Sequence, residues 1–192
     1  GGTAPDMAHT PLLVGADGSS LSKRLGSLGM GELRKQGIEP LAICSLLGKL
    51  GTSDNVEIRP SLEQLADEFD FAKIGRSPAR FDEADLQNLN AALTHAMPFE
   101  AAKARLQAID PDAANETFWT LVRENCVTVE DAARFVPVAF GEITPLIEAE
   151  DTDFISAAAR LLPDGEMTAE TWGAWTSALK AETGRKGKGL FM

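Results

Sequence analysis

Apolar side chains recur at helical spacing along most of this sequence, and this periodicity constrains its fold more than any other feature. The clearest run spaces its members three, four and four residues apart on one helix face: Leu86, Leu89, Leu93 and Met97. Pro98 is tolerated only in the first turn of a helix, so we expect a new helix to start there. Runs that alternate with the period of a strand are few. The sequence therefore predicts a mostly α protein, built as a helical array or bundle.

Capping residues precede several of these runs and predict where helices begin. Ser61 and Gln64 have the spacing of a capping box, in which each side chain bonds the backbone amide of the other residue. Asp82, Thr128 and Thr168 also stand before apolar runs, at positions typical of a helix N-cap. We therefore expect a helix to begin after each of these residues.

The large apolar side chains of these helices are expected to face the protein core. Leu62, Leu65 and Phe69 would line the inner side of the helix that the capping box begins. Trp172 and Trp175 stand three residues apart, so we expect both rings to pack on one buried face. Stacking against nucleic-acid bases is the alternative for these two tryptophans.

The stretch of residues 12–24 departs from the helical pattern. Asp17 and Gly18 follow a short apolar run, and this pair is typical of a tight β-turn because glycine adopts positive φ angles without strain. We therefore predict a short β-hairpin here. The loop after it ends in one hydroxyl group and two cations, on Ser22, Lys23 and Arg24. Such a loop can clamp a phosphate, although basic loop residues are more often only solvated.

Charge is distributed unevenly along the chain. The 192 residues carry a net charge of −11, and residues 51–184 alone hold 25 acidic against 10 basic side chains. Residues 185–192 hold three basic side chains and no acidic one. An acidic body repels a polyanion, so this distribution argues against general nucleic-acid binding. A polyanion would have to be held at local basic sites.

Composition and cysteine usage indicate a cytoplasmic protein. Apolar residues make up 44% and charged residues 24% of the chain, as in soluble globular domains. No apolar run approaches the ~18 residues that a membrane span needs, and the first residues lack the pattern of a secretory signal. Cys44 and Cys126 lie far apart in apolar helical settings, so we expect both to be buried, unpaired thiols in a reducing compartment.

The sequence lacks the patterns of a self-sufficient enzyme. It contains no Gly-x-Ser-x-Gly, His-Glu-x-x-His or Walker motif, and its 29 acidic residues are scattered over predicted helix surfaces. His9 and His95 have no neighbours at metal-ligand spacing, so we predict no protein-bound metal. The chain is therefore expected to be an incomplete enzyme or a binding module.

Several segments resemble parts of a known family in the same order along the chain. Residues 10–24 end in Ser20-Leu-Ser-Lys-Arg and are similar to the second signature loop of the class I glutamyl-tRNA synthetases, which usually ends in Lys-Leu-Ser-Lys-Arg. Further segments are similar to downstream parts of that family: residues 37–42 with 50–53, 69–71, 77–86 with 89–90, and 183–192. The resemblance implies the C-terminal part of an enzyme that attaches glutamate to its tRNA with ATP.

For the signature loop, the resemblance implies contact with ATP. Lys23 would be the catalytic residue that holds the phosphates as pyrophosphate leaves, and Ser22 and Arg24 would complete the ATP-binding group. Magnesium would accompany ATP as its counter-ion, bound mainly by a catalytic domain that we expect upstream. Ser20 stands where the family has the first lysine of the signature, and the family's His-x-Gly-His motif is absent from this sequence. We therefore expect a fragment that is inactive alone.

For the helical region, the resemblance implies contact with tRNA near the anticodon. Arg123 and Asn125 fall where the family often offers two arginines, so Asn125 departs from the pattern. The basic tail would follow tRNA phosphates through Arg185, Lys186 and Lys188. An ordinary surface ion pair for Arg123 and a frayed basic terminus are the alternatives that the residues themselves leave open.

These inferences divide the chain into two expected domains. Residues 1–59 would form the signature loop with helices like the family's stem-contact region, and residues 60–192 a helical anticodon-binding domain truncated at its C-terminus. The expected partners are a glutamate-type tRNA, with ATP and glutamate in the full-length enzyme, and no membrane. The chain itself is expected to be a monomer.

Two other classes of function stay open at this point. The acidic helical body fits a protein-interaction domain without RNA binding, which an exposed apolar patch without a basic face would favour. A self-sufficient enzyme is disfavoured because no complete catalytic set is present.

Overall fold

The computed structural model of the protein describes residues 2–5, 7–21, 29–142, 147–165 and 167–191. Its residues form two compact units, one in residues 1–142 and the other in residues 143–192. Helices make up most of both units, which confirms the predicted mostly α class. Within the described ranges, no helix is long and apolar enough to cross a membrane. The domain boundary predicted between residues 59 and 60 concerns function and stays a prediction.

In the described residues of the first unit, there are seven α-helices and two strands. The helices are α1 (Met30–Lys35), α2 (Pro40–Lys49), α3 (Leu62–Glu68), α4 (Glu83–Ala96), α5 (Phe99–Ile109), α6 (Glu116–Val122) and α7 (Val136–Phe140). Short 3-10 helices span Phe71–Lys73, Pro111–Ala113, Arg123–Asn125 and Val129–Phe135. The strands are β1 (Leu13–Gly15) and β2 (Ala79–Phe81).

The part of the second unit that the structure describes contains three α-helices. They are α8 (Thr152–Leu161), α9 (Ala169–Thr183) and α10 (Lys188–Phe191), and a 3-10 turn at Ala149–Asp151 precedes the first of them. Trp175 of α9 packs against α8 and donates from Nε1 to the carbonyl of Ala158 at 2.8 Å. Gly184 ends α9 with a φ of 68°, as its glycine predicts.

The predicted hairpin is reduced to a tight turn. Gly18 has a φ of 82°, and the amide of Gly15 donates to the carbonyl of Ser19 at 2.8 Å. Beyond the turn, Val14 and Ser20 form a single antiparallel bridge. The main partner of β1 is β2, which runs parallel to it. Strands of three residues carry no period, so this long-range pairing left no pattern in the sequence.

The capping signals are confirmed with one difference. Ser61 accepts a hydrogen bond from the amide of Gln64 at 3.3 Å, but the Gln64 side chain donates to Glu68 instead of reaching back. Thr128 and Asp131 form a complete capping box. The segment that this second box begins is a 3-10 helix rather than an α-helix. Asp82 caps α4 as predicted, by accepting from the amide of Ala84.

Two apolar clusters form the core of the first unit. The first joins α1, α2 and α4 through Leu33, Ile38, Ala42, Leu46, Leu86 and Leu89. The second surrounds the fully buried Trp119 and draws on α5, α6 and the 3-10 helix Val129–Phe135. Because α4 supplies the first cluster and its C-terminal end adjoins the second, this helix connects the two halves of the unit.

Three expectations about burial are wrong. Cys44 is exposed, because α2 buries the face that carries Ala42 and Leu46 instead; Cys126 is buried as expected, and both thiols are unpaired. Leu62 and Phe69 are 56% and 44% exposed, since α3 is attached through polar contacts of Glu68 and buries no residue.

Trp172 is also more open than expected. Trp172 is 58% exposed, although its ring contacts that of Trp175 edge-on, with centroids 5.6 Å apart. Trp175 and Leu179 make the packing contact of α9 with α8, and Trp172 lies one turn before them. The expectation that both tryptophans face inward is therefore right for Trp175 only.

The polar segment at residues 52–60 is tied to the helices on either side of it. Lys49 is only 4% exposed, and its ammonium lies 3.0 Å from Asp54 and 2.7 Å from Glu68. Arg59 donates to the same Glu68 carboxylate at 2.8 Å, and Lys73 reaches Asp54 at 3.0 Å. These ion pairs lower the pKa of Glu68 to about 2, chiefly through the hydrogen bond from Lys49.

Candidate functional site

The predicted ATP-contacting residues Ser22, Lys23 and Arg24 lie outside the described residues. The structure describes the chain up to Leu21 and again from Gly29. Their assigned roles therefore stay predictions that rest on the sequence.

Arg123 and Asn125 share one 3-10 turn that follows α6. Asn115 caps α6 by accepting from the amide of Phe118 at 3.0 Å, and the α-helix ends at Val122, where the turn begins. Asn125 is exposed and Arg123 is half-buried. The fold thus presents both predicted tRNA-contacting residues on a single short turn.

The Arg123 guanidinium lies at the C-terminal end of α4. Its Nη1 donates to the carbonyl of Met97 at 3.3 Å, and Nε1 of Trp119 donates to the same oxygen at 2.9 Å. The carbonyl groups at the end of a helix carry partial negative charge, which suits a cation. Nε of Arg123 is buried with no hydrogen-bond partner, and no carboxylate pairs with this guanidinium among the residues that the structure describes. Its positive charge is therefore not neutralised by an acidic side chain there.

Side chains of Arg134 and His95 bond the backbone carbonyl groups at the end of the turn. Nη2 of Arg134 donates to the carbonyl of Asn125 at 2.8 Å. Nε2 of His95 lies 3.1 Å from the carbonyl of Cys126, a contact that requires the hydrogen on Nε2. Burial raises the pKa of the Cys126 thiol to about 11, with Asp131 adding to the effect.

Both the carbonyl group of Val127 and the amide groups beside it are bonded to side chains. The carbonyl of Val127 accepts from Nδ2 of Asn90 at 2.8 Å and from Oγ1 of Thr94 at 2.9 Å. The amides of Val127 and Thr128 both donate to Asp131, at 2.8 and 2.9 Å. Three successive carbonyl groups of the segment at residues 125–127 are thus bonded to side chains, which fixes the backbone that presents Arg123 and Asn125.

Asn90 also holds a second segment, the turn before α2. Its Oδ1 accepts from the amide of Glu39 at 2.7 Å, and its Nδ2 lies 3.4 Å from the carbonyl of Gly37. Gly37 has a φ of 77°, and a Cβ there would lie 2.7 Å from Glu130 and 3.1 Å from Thr128. Only glycine allows residues 37–39 to approach residues 128–130 this closely.

Arg105 of α5 joins the same two segments by charge. It forms two bonds to Glu130, at 2.8 and 2.5 Å, and a further bond to Glu39. This pairing lowers the pKa of Glu130 and raises that of Arg105. A cleft of about 520 Å³ opens beside the three side chains, and Arg34 and Lys35 of α1 also line it.

Only some cations of the predicted basic tail, residues 185–188, are exposed and could bind phosphates. Arg185 is paired with Asp151 at 2.6 Å, and its guanidinium lies 4.4 Å from the centre of the Phe154 ring. These contacts hold the segment after α9 against the start of α8. Lys186 and Lys188 are exposed, and neither forms an ion pair within the described part of the second unit.

Three residues that hold the backbone around the turn at residues 123–125 belong to no sequence motif. They are Asn90, Thr94 and Arg105. The position of Asn90 in the sequence does indicate that its side chain is buried. It follows Leu86 by four residues, so a polar amide occupies a position on the buried face of α4. A buried polar side chain must find hydrogen-bond partners, which makes such a residue a candidate for holding backbone groups.

No family model matches this chain. Over all 192 residues it is 65% identical to glutamate–tRNA ligase 2 of Hyphomonas neptunium, and over 193 aligned residues it is 49% identical to glutamate–tRNA ligase 1 of Maricaulis maris. In both comparisons the whole chain is covered, whereas it spans 43% of the relative's length.

Solved structures support the same relationship at the level of the fold. The glutamate–tRNA synthetase of Elizabethkingia anophelis matches 99% of this chain with a TM-score of 0.71, at 22% sequence identity and over 44% of its own length. The glutamate–tRNA ligase of Elizabethkingia meningosepticum matches 98% with a TM-score of 0.72.

Over its whole length, the chain is similar in sequence and in fold to part of an aminoacyl-tRNA synthetase. More particularly, it is related over its whole length to the C-terminal region of the glutamate–tRNA ligases, as the resemblance of its segments predicted.

Proposed function

We propose that this chain is the tRNA-binding part of a glutamate–tRNA ligase and that it supplies the loop that contacts ATP. The observation that carries the tRNA contact is the turn at residues 123–125. It presents a guanidinium without an acidic partner among the described residues, and side chains bond the carbonyl groups that follow. A preorganised guanidinium beside an exposed amide suits phosphates and base edges of RNA.

Local rather than general RNA binding fits the acidic composition. A net charge of −11 opposes a broad polyanion surface, so affinity must come from a few contacts. In the second unit, Lys186 and Lys188 are the exposed cations of the predicted tail. Arg185 is paired with Asp151, and we therefore assign it a smaller share of phosphate binding than the sequence suggested.

The catalytic contribution of the chain is assigned to Lys23. Its ammonium would bind the phosphates of ATP as negative charge develops on the departing pyrophosphate, with Ser22 and Arg24 beside it. Supporting this role are the Ser-Lys-Arg sequence of the loop and the high identity to glutamate–tRNA ligases. Magnesium would enter with ATP. In the full-length enzyme, the substrates would be ATP, glutamate and a glutamate-type tRNA, in the cytoplasm.

A second candidate function is protein interaction without RNA. Phe69 and Phe71 favour it, since these rings pack edge-on with centroids 5.0 Å apart while remaining 44% and 60% exposed. An exposed aromatic pair of this kind is common at protein interfaces. The two candidates differ in whether the chain binds tRNA at all.

Titration of the chain with a glutamate tRNA at a series of salt concentrations tests the proposal. A few phosphate contacts predict that the affinity falls with salt, with a logarithmic slope of about −0.7 to −0.9 for each phosphate bound. Arg123→Ala should weaken binding, whereas Arg76→Ala, which removes the same charge from an exposed site elsewhere in the first unit, should not. Absence of binding at low salt, or equal binding of any RNA hairpin, would overturn specific recognition and favour the protein-interaction alternative.

A further inference from the structure

We propose that Asn90 is a positioning residue for RNA binding, because its one side chain holds the segment at residues 123–128 and the segment at residues 37–39 in a fixed relation. The inference rests on the proposed function, in which Arg123 and Asn125 contact tRNA. No motif in the sequence assigns a role to this residue.

The hydrogen bonds of Asn90 use its whole amide group. The side chain is fully buried, its Oδ1 accepts from Glu39, and its Nδ2 faces the carbonyls of Val127 and Gly37. A carboxamide has one acceptor and two donor hydrogens, which is what these three backbone groups require. An apolar side chain of the same size would remove this partner from the Glu39 amide and the Gly37 carbonyl and leave the Val127 carbonyl to Thr94, and a carboxylate would face two carbonyl oxygens.

The segment that Asn90 holds is the one that shapes the turn. Val127 lies two residues after Asn125, and its carbonyl is shared between Asn90 and Thr94, which is one helical turn further along α4. The carbonyl of Cys126, one residue before Val127, is bonded to His95 of the same helix. Arg123 itself donates to the carbonyl of Met97 at the end of that helix. One face of α4 therefore sets the backbone from which Arg123 and Asn125 project.

Arg105 provides a second, independent link, from the segment at residues 37–39 to Glu130, which lies two residues beyond the segment at residues 123–128. It pairs with Glu39 on one side and with Glu130 on the other, next to the close approach of Gly37 to Thr128. Two links of different chemistry make it difficult for one segment to shift without the other. Contact of RNA with residues 123–125 is thereby coupled to the start of α2.

The experiment compares Asn90→Asp with Asn88→Asp in the full chain. Both changes place a carboxyl group on α4, but Asn88 is exposed, so the comparison separates the disturbance of the buried amide from a general effect of added negative charge on RNA binding. We expect Asn90→Asp to weaken binding of a glutamate tRNA about tenfold, as typical coupling energies allow, and Asn88→Asp to have little effect. Far-UV circular dichroism establishes that each variant is folded. If Asn90→Asp does not fold, the variant Thr94→Val is used in its place. It removes one of the two side-chain donors to the Val127 carbonyl.

A double-mutant cycle with Arg123→Ala separates positioning from stability. If Asn90 acts through the turn, the loss caused by Arg123→Ala shrinks at least severalfold in the Asn90→Asp background, since the guanidinium is already displaced. A residue that only stabilises the fold would leave the two effects on affinity additive. Hydrogen exchange at the Glu39 amide should also slow when tRNA binds the wild-type chain and not when it binds Asn90→Asp.

The outcomes distinguish this inference from the proposed function. If the wild-type chain binds no tRNA, the proposed function fails, and the inference fails with it. If the wild-type chain binds tRNA while Asn90→Asp binds equally well, or while the cycle is additive, the proposed function stands and only the inference is overturned.

Discussion

The ammonium of Lys49 lies 2.7 Å from the carboxylate of Glu68 and is almost completely removed from solvent. This contact joins α2 to α3 across a polar segment that carries no apolar core of its own. Asp54 and Arg59, from that segment, complete the network. Ion pairs therefore help to fix residues 52–60, in addition to the packing of Ile58 against the first apolar cluster, so they should contribute to the stability of the first unit.

The acid stability of the chain should depend on Glu68. Its pKa is about 2 in the folded protein and 4.5 in its ordinary state, so its charged form stabilises the fold above about pH 4.5. This contribution should decrease as the pH falls through the window between these values. We expect Glu68→Gln to be less stable than the wild type near neutral pH and the difference to shrink towards pH 2. Urea unfolding across this range measures it, and a difference independent of pH would contradict the account.

Removal of the buried ammonium should destabilise the first unit. In Lys49→Met the carboxylates of Asp54 and Glu68 lose their buried partner, and uncompensated charge is costly in such a place. We expect the melting temperature to fall by several degrees. Lys35→Met is the matched control, because Lys35 is 77% exposed and its one ion pair among the described residues is with the exposed Glu32. Equal melting temperatures for the two variants would show that the network contributes little.

The two thiols should react very differently. Cys44 is exposed, whereas Cys126 is buried and burial raises its pKa to about 11. A thiol reagent should therefore modify one cysteine quickly in the folded chain and both in denaturant. Mass spectrometry after brief labelling identifies the site. Fast labelling of Cys126 in the folded chain would mean that the packing around Trp119 opens readily.

The catalytic role proposed for Lys23 can be tested only in a complete enzyme. In a chimera, this chain replaces the matching 43% of the Hyphomonas neptunium ligase. There, Lys23→Ala should reduce ATP–pyrophosphate exchange by about a hundredfold or more, since it removes a cation from the transition state. Its affinity for tRNA should hardly change. Unchanged exchange would refute the catalytic role, and Lys35→Ala, which alters an exposed lysine of α1, controls for loss of charge.

Local features of the fold were predictable because their causes are local. Asp82 and Pro98 are confirmed at the starts of α4 and α5, since a cap and a proline act within one helical turn. The pairing of β1 with β2 was not predictable, because three-residue strands leave no periodic pattern. The expected burial of Cys44 was wrong because α2 turns Ala42, Ser45 and Leu46 to the core, and Cys44 lies outside that face.

The candidate site was predictable only in part. The sequence located the turn that carries Arg123 and Asn125, through the resemblance to a family and a cap at Thr128. It did not reveal that Asn90, Thr94 and His95 fix this turn, because hydrogen bonds between residues far apart in the chain depend on how α4 packs. Arg185 was expected to be free, and only the fold shows its pairing with Asp151.

The most direct test of the central claim is the affinity of this chain for a glutamate tRNA and for the same tRNA with an altered anticodon. If the turn at residues 123–125 contacts the anticodon, the altered tRNA should bind about tenfold more weakly, as loss of a good base contact costs on the order of 1–3 kcal/mol. Arg123→Ala should remove most of that difference. Equal affinity of the wild-type chain for both tRNAs would contradict the account.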